Sequence, residues 1–221
     1  MKIKVSKNGP YKVDDKIPLK REEIEADEEG FSCRWRKKEK LETDGNYRLC
    51  RCGQSKDKPF CDRSHIREKF KANGADEAEK YTDGAKNFEG EKYVLCDKAK
   101  LCASAKFCHR AGSAWNLVEK SDKESENILK AEVYNCPSGR LVLKNKKTGK
   151  TIEKKYQPSI SITEDKPANV SGPLWVKGGI KIESPNGKIY EKRNRVTLCR
   201  CGKSKNKPFC DATHIEEGFK E

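Results

Sequence analysis

Residues 49–70, LCRCGQSKDKPFCDRSHIREKF, recur at residues 198–219 as LCRCGKSKNKPFCDATHIEEGF. Three cysteines and one histidine keep the same offsets in both copies: Cys50, Cys52, Cys61 and His65, then Cys199, Cys201, Cys210 and His214. Thiolate and imidazole at fixed spacing are ligands for soft and borderline metals, so the repeat is first a duplicated metal site. Two of the three histidines stand at the equivalent position, a coincidence that packing alone does not require. The constraint reaches the whole fold. Only 33% of the 221 residues are hydrophobic and 38% are charged, so the buried core is modest and bound metals would serve as its cross-links.

A chain of this length is long enough for one large domain or a few small ones. Its formal charge of +14 points to acidic partners, whether protein, nucleic acid or anionic lipid, although interspersed lysines and acids fit a heavily solvated surface equally well. The N-terminal MKIKVSKNGPYKV has no apolar run of signal-peptide type, and no membrane segment is expected. A reducing, cytoplasmic setting is therefore expected, and there eleven cysteines point to metal or iron-sulfur ligation rather than to a disulfide framework. The odd count also leaves complete pairing impossible.

Three units are expected: residues 1–75 and 166–221 around the repeated sites, and 76–165 between them. The duplication extends upstream, where Gly9-Pro10-Tyr11-Lys12-Val13 and Ile17-Pro18-Leu19 parallel Gly172-Pro173-Leu174-Trp175-Val176 and Ile180-Lys181-Ile182. Alternation on both sides of Asp14-Asp15 and of Gly178-Gly179 predicts a β-hairpin in each half. Ser184-Pro185-Asn186-Gly187 predicts a further turn, and residues 189–198 a strand entering the second site. The first half carries a charged insertion over residues 24–41, and Cys33 within it has no counterpart in the second. In the middle unit, residues 101–118 predict a loop and short helix, and 121–126 a polar excursion. Residues 141–152 predict a hairpin.

Within each repeat, Cys-x-Cys followed by a third cysteine and a histidine gathers four ligands in one compact loop. The proline of Lys-Pro-Phe stiffens its approach. Ser55 and Ser204 can donate to a sulfur or to the loop backbone, and Asp62 and Asp211 can cap the short helix that carries the histidine. Spacing alone admits a zinc site of three cysteines and one histidine. The pattern C-x-C-x2-(S/T)-x3-P-x-C-D-G-(S/A/T)-H, however, is the signature of the CDGSH, or mitoNEET-like, iron-sulfur family, which both copies resemble. They depart from it at the glycine, where Arg63 and Ala212 stand. A backbone needing positive φ would be strained there.

The resemblance implies a 2Fe-2S cluster in each copy. Cys50 and Cys52 would hold the inner iron and Cys61 and His65 the outer one, with Cys199, Cys201, Cys210 and His214 in the same roles in the second copy. One histidine in place of a thiolate implies a potential above that of an all-cysteine cluster and below that of a Rieske centre. It also couples reduction to ligand protonation. Lys56, Lys58, Lys205 and Lys207 would add positive charge around the clusters. Family members bind their clusters as homodimers. A tandem repeat implies the same pair within one monomer, so the expected fold is β-rich α+β: an intramolecular pseudo-dimer with an inserted ferredoxin-like α+β unit.

Five residues lie between Cys102 and Cys108, and Cys136 precedes Pro137, a Cys-Pro closure that ferredoxins use. The stretch LCASAKFC…W…NCPSGRLVL resembles the divergent single-cluster ferredoxin domain found fused to CDGSH units. Ala105 stands where a midway ligand would fall. Cys102, Cys108 and Cys136 alone suit a 3Fe-4S cluster, whereas Cys96 or His109 as a fourth ligand would make it 4Fe-4S. Phe107 and Trp115 are expected to shield this centre.

The function expected is electron transfer or redox sensing, without catalysis: no carboxylate metal site, phosphate-binding glycine loop or nucleophile elbow is present in the sequence. The expected partner is an acidic redox protein, or an apo-acceptor if the protein stores and transfers clusters. A zinc-dependent nucleic-acid-binding module is the alternative from another class, supported by charge. It lacks an aromatic-rich strand or recognition helix, with Phe60 and Phe209 the single aromatics of each motif's ligand loop.

Overall fold

The computed structural model describes residues 1–14, 16–72 and 79–221. The first strands are short and alternate cleanly. In β1 (Lys2–Val5) and β2 (Tyr11–Val13), Ile3, Val5, Tyr11 and Val13 point inward between exposed lysines, the pattern of a sheet with one buried face. β3 (Leu19–Ala26) and β4 (Ser32–Leu41) form a long antiparallel hairpin from the charged insertion. β5 (Tyr47–Leu49) runs into the first ligand loop, which ends in the single-turn helix α1 (Ser64–Arg67).

The middle unit contains β6 (Lys86–Glu89), β7 (Tyr93–Asp97), α2 (Ala114–Leu117), α3 (Lys123–Asn135), β8 (Leu141–Asn145) and β9 (Thr151–Ile152). Its strands form one antiparallel sheet in the order β6-β7-β8-β9. Leu95, Leu141 and Leu143 from the sheet pack against Leu117, Leu129 and Val133 from the helices. The expected hairpin over 141–152 is present. The polar excursion expected at 121–126 instead opens the 13-residue helix α3. Asp122 caps it by accepting from the Ser125 amide at 2.9 Å, and its first turn is polar, which hides the apolar stripe that begins at Ile128.

The last third holds β10 (Ser159–Asp165), β11 (Val170–Lys177), β12 (Lys181–Glu183), β13 (Arg195–Leu198) and the single-turn helix α4 (Thr213–Glu216). The expected strand over 189–198 is confined to β13. Glu191, Lys192, Arg193 and Asn194 interrupt the alternation, and Ile189 makes only an isolated bridge to Glu183. The turn at 184–187 closes as expected, with Ser184 N–H donating to Lys188 O at 2.8 Å. The unit boundary expected at 165/166 falls between β10 and β11, which are hydrogen-bonded neighbours. The boundary expected at 75/76 and Asp15 of the expected first turn lie outside the described residues.

Neither upstream hairpin forms. β2 pairs with β1 and β5 in a sheet of order β12-β1-β2-β5, whereas β3 belongs to a second sheet of order β13-β11-β10-β3-β4. Likewise β11 lies in the second sheet and β12 in the first. Alternation identified the strands and their buried faces, but it carries no information about their neighbours. At Gly178 and Gly179 the backbone takes φ of +78° and +68°, a conformation that suits glycine, and redirects the chain from one sheet to the other. Each sheet therefore receives a parallel strand from the opposite half, with Ile3 beside Ile182 and Leu19 beside Ile160. A single apolar core unites Ile3, Tyr11 and Leu49 with Ile160, Leu174 and Leu198. No helix among the described residues is long and apolar enough to cross a membrane.

Arg195 joins the middle unit to this core. It is 1% exposed and donates from β13 to Val133 O, to Tyr134 O at 2.9 Å and to Leu141 O at 3.1 Å, with Glu153 at 3.0 Å. Trp35 Nε1 donates to Asn135 O at 2.9 Å. The last carbonyls of α3 thus find their partners outside the helix, and a cation meets its negative end. Arg195→Met should strand these carbonyls and cost about 3 kcal/mol. The expected readout is a thermal midpoint lowered by roughly 6–12 °C, with proteolysis quickened in the middle unit.

Candidate metal centres

Each Cys-x-Cys lies at the end of a core strand, β5 or β13, and each histidine in a following single-turn helix. The loop between them closes on itself. In the first repeat, Cys50 N–H donates to Pro59 O at 2.8 Å and Cys61 N–H to Arg48 O at 3.0 Å. In the second, Cys199 N–H donates to Pro208 O at 2.8 Å and Cys210 N–H to Thr197 O at 3.0 Å. Ser55 and Ser204 serve the loop backbone, donating to Phe60 O and Phe209 O, each at 2.7 Å.

Asp62 accepts from the Lys56 amide at 2.9 Å and from the Ser64 amide at 2.8 Å. Asp211 accepts from the Lys205 amide at 2.7 Å and the Thr213 amide at 3.1 Å. Each aspartate ties the ligand loop to the start of the histidine helix, and these hydrogen bonds hold the Asp62 carboxyl well below the usual range. Arg63 and Ala212, at the family's glycine position, have φ of +70° and +73°. The left-handed turn therefore forms without glycine, at a cost of about 1 kcal/mol each.

The four side chains of each repeat are arranged as two close pairs. Cys50 Sγ and Cys52 Sγ are 3.8 Å apart, and Cys61 Sγ lies 3.5 Å from His65 Nδ1. The second repeat has 3.6 Å for Cys199–Cys201 and 3.4 Å for Cys210–His214 Nδ1. With metal–sulfur bonds of about 2.3 Å and metal–nitrogen bonds of about 2.0 Å at the tetrahedral angle, two ligands of one ion stand about 3.5–3.8 Å apart. Each pair therefore has the spacing of two ligands on one ion. Among the described residues, no group of three or more His, Cys, Asp or Glu side chains closes on a single ion.

The thiol pairs share protons. The hydrogen bond within each pair draws Cys50 and Cys199 down, while Cys52 and Cys201 are pushed up. Metal binding displaces such protons. Burial pushes His214 down to about 4. The repeats differ in exposure: His214 is 3% exposed and Cys210 is buried, whereas His65 and Cys61 are partly open to solvent.

The two Cys-x-Cys-Gly turns meet backbone to backbone. A Cβ on Gly53 would lie 2.4 Å from Cys201 O, and one on Gly202 would lie 2.2 Å from Cys52 O. Tyr11 crosses between the repeats, donating its hydroxyl to Cys199 O at 2.7 Å and Pro208 O at 3.1 Å. Arg51 and Arg200, between the paired cysteines, are buried. Arg51 donates to Ser6 O at 2.8 Å and Arg200 to Gly172 O at 2.6 Å. The same arginine stands between the paired cysteines in both copies, the sequence sign of this shared burial.

In the middle unit, Cys102, Cys108 and Cys136 line one cavity together with Phe107 and Arg140. The Ser104 amide donates to Cys102 Sγ at 3.4 Å. Burial pushes Cys108 up to about 12. Ala105 also lines this cavity, and two considered fourth ligands do not. Cys96 is buried on β7, and His109 is exposed beside Trp115, with ring centroids 6.0 Å apart. Arg140, absent from the sequence reading, is held by Asp97 through two bonds of 2.6 and 2.8 Å and lies over Trp115. This centre adjoins the second repeat. Asn206 donates to Lys100 O at 3.2 Å, and burial pushes Cys210 well up.

The "Iron-binding zinc finger CDGSH type" family model matches residues 8–66 and 171–215. Between them, residues 88–146 match the "Divergent 4Fe-4S mono-cluster" model. No curated protein and no solved structure gives a significant match.

Glycine restored at both left-handed positions, Arg63→Gly with Ala212→Gly, should stabilise the chain by about 1 kcal/mol once the added freedom of the unfolded state is counted. Ala212→Val should destabilise it, and thermal unfolding measures both. Glu132 gives a pH dependence. It is buried with neither carboxyl oxygen partnered among the described residues, and burial pushes it up to about 8. Its contribution is intact below about 4.5 and declines as pH rises toward 8. Glu132→Gln should therefore raise the unfolding midpoint at pH 8 by more than at pH 5.

Proposed function

We propose that this chain, a tandem CDGSH-type protein with a divergent 4Fe-4S mono-cluster domain between its repeats, is an internal pseudo-dimer that carries single electrons rather than an enzyme. In this reading Cys50, Cys52, Cys61 and His65 hold one 2Fe-2S cluster, and Cys199, Cys201, Cys210 and His214 hold the other. Cys102, Cys108 and Cys136 hold a third, of 3Fe-4S type, or 4Fe-4S if a further ligand joins them. Bound clusters of these types supply reversible one-electron storage.

The observation that carries the reading is the pairing of ligands at 3.4–3.8 Å on two turns that touch through Gly53 and Gly202. Among the described residues no three of these ligands close on one ion, which favours two irons per site over one zinc ion that would draw all four ligands to one point. The exchange of β3 and β12 between the sheets supports the pseudo-dimer. Tyr11 ties the first half to the second ligand loop, and Arg51 and Arg200 anchor their turns to Ser6 O and Gly172 O. The hydrogen bond from Asn206 to Lys100 O, two residues before Cys102, supports a sequence of centres running from the middle unit through the second repeat to the first.

The first repeat is the favoured exit. His65 borders solvent, Ile66 beside it is 67% exposed, and Arg63 and Arg67 are exposed around them. An acidic protein surface with an apolar centre would complement that patch. The same openness favours the first repeat as donor if a cluster is passed to an apo-acceptor. All described cysteines are free thiols, which fits a reducing, cytoplasmic setting.

Anaerobic iron and sulfide analysis with EPR, before and after dithionite, tests the reading. Inorganic sulfide and two classes of signal are expected, whereas a colourless zinc protein would refute it. His65→Cys and His214→Cys should each lower the potential of one cluster toward the roughly −400 mV of all-cysteine plant-type centres. Under chelator or mild acid, the first-repeat signal should disappear before that of the buried second repeat. Simultaneous loss would contradict the asymmetry.

A further inference from the structure

A cavity of about 410 Å³ opens on the five-stranded sheet, walled by β3, β4, β11, residues 154–157 and Asn135 at the end of α3. Its size falls within the roughly 300–1,000 Å³ of small-molecule sites. Three aromatic rings line it. Trp35 and Trp175 have centroids 4.9 Å apart at 36°, and Tyr156 stands edge-on to Trp175 at 5.8 Å. The rings are anchored from behind: Trp35 Nε1 donates to Asn135 O at 2.9 Å and the Tyr156 hydroxyl to Tyr134 O at 2.7 Å. Trp175 is 3% exposed, and its indole N–H has no partner among the described residues.

The charge is one-sided. Lys20, Arg34, Lys37, Lys154, Lys155 and Lys177 line the cavity, and Glu22 is its single acid. Glu22 is spent on Lys177 at 2.6 Å and Lys20 at 3.0 Å, and Arg34 is engaged by Glu25. Lys37, Lys154 and Lys155 are exposed and have no carboxylate partner among the described residues. Lys154 only lies over Tyr156, at 5.8 Å. Three uncompensated cations around an aromatic wall suit a ligand that is planar at one end and multiply anionic at the other.

We propose that this cavity binds a free nucleotide, the base against Trp35 and Tyr156 and the phosphates among Lys37, Lys154 and Lys155. The site is built from the charged insertion, the middle unit's last residues and β11, none of which carries a metal ligand. It nevertheless communicates with the middle centre. Trp35 packs on Phe107 at 5.1 Å, and Phe107 lines the cavity of Cys102, Cys108 and Cys136.

Calorimetry on the iron-loaded full chain tests this with ADP, adenosine, inorganic pyrophosphate and a short single-stranded oligonucleotide. Saturable one-site binding of ADP is expected, with adenosine and pyrophosphate each at least about tenfold weaker, since stacking and phosphate contacts both contribute. The triple variant Lys37→Gln, Lys154→Gln, Lys155→Gln alters only exposed side chains. It should weaken ADP by at least about tenfold and leave the visible spectrum unchanged. Trp35→Leu should bring ADP close to pyrophosphate. Absence of saturable ADP binding, pyrophosphate binding as tightly as ADP, or full affinity in the triple variant would each overturn the proposal. Oligonucleotide binding more than about tenfold tighter than ADP would overturn it in favour of a nucleic-acid strand.

Discussion

Where Gly53 lies against Cys201 and Gly202 against Cys52, the backbones approach too closely for any side chain. Both glycines have φ near +80°, so the same residue type meets two demands, a left-handed turn and an absent Cβ. This contact fixes the separation of the two ligand loops, and much else follows from it. Strands feeding two turns that face each other have their core sides facing as well. Leu49 and Leu198 consequently enter one apolar cluster rather than two. The parallel additions of β12 and β3 extend each half across the other, so the loops cannot separate without breaking sheet hydrogen bonds on both sides.

A chain with so little apolar content fills its interior differently. Arg51, Arg195 and Arg200 are all buried, and their guanidinium groups donate to backbone carbonyls. One arginine can satisfy several acceptors at a junction where loops and helix ends would otherwise leave them bare. Glu22 and Lys177, both buried at 2.6 Å, make a similar junction between β3 and β11. Such pairs contribute little net stability, because desolvation opposes attraction, but a misregistered strand would leave a charge alone in the interior. Polar geometry thereby supplies specificity that a larger apolar core would supply by shape.

The paired cysteines and histidines were legible because the same offsets occur twice, and the structure brings each set together. The strands were legible for a similar reason, since burial alternates along Tyr11-Lys12-Val13 and Ile180-Lys181-Ile182. Their partners were not. A residue's face is a local property, whereas strand exchange is a relation between segments about 140 residues apart, as in Leu19 beside Ile160 within one register. α3 escaped notice because its first turn, Lys123 to Glu126, is wholly polar and its stripe begins only at Ile128. Arg51 and Arg200 were visible as letters, but a residue between two cysteines reads as a spacer until its burial is known. Of the middle-unit cysteines, Cys102, Cys108 and Cys136 converge on one cavity, while Cys96 does not line it, because alternation along β7 sets it on the face opposite Leu95.

Tyr11 grips the backbone of the second ligand loop through two hydrogen bonds, while the matching position in the other half is Leu174, which has no hydroxyl to return the grip. Two identical subunits related by a dyad cannot differ in this way, because one gene would write the same residue on both sides. Fusing the copies removes that obligation. It also frees the pairing of the loops from dilution, since their local concentration is set by the chain itself. Each half can then be altered alone, one sealed against a neighbouring unit and the other left open to solvent. Duplication in this molecule is therefore a licence for division of labour.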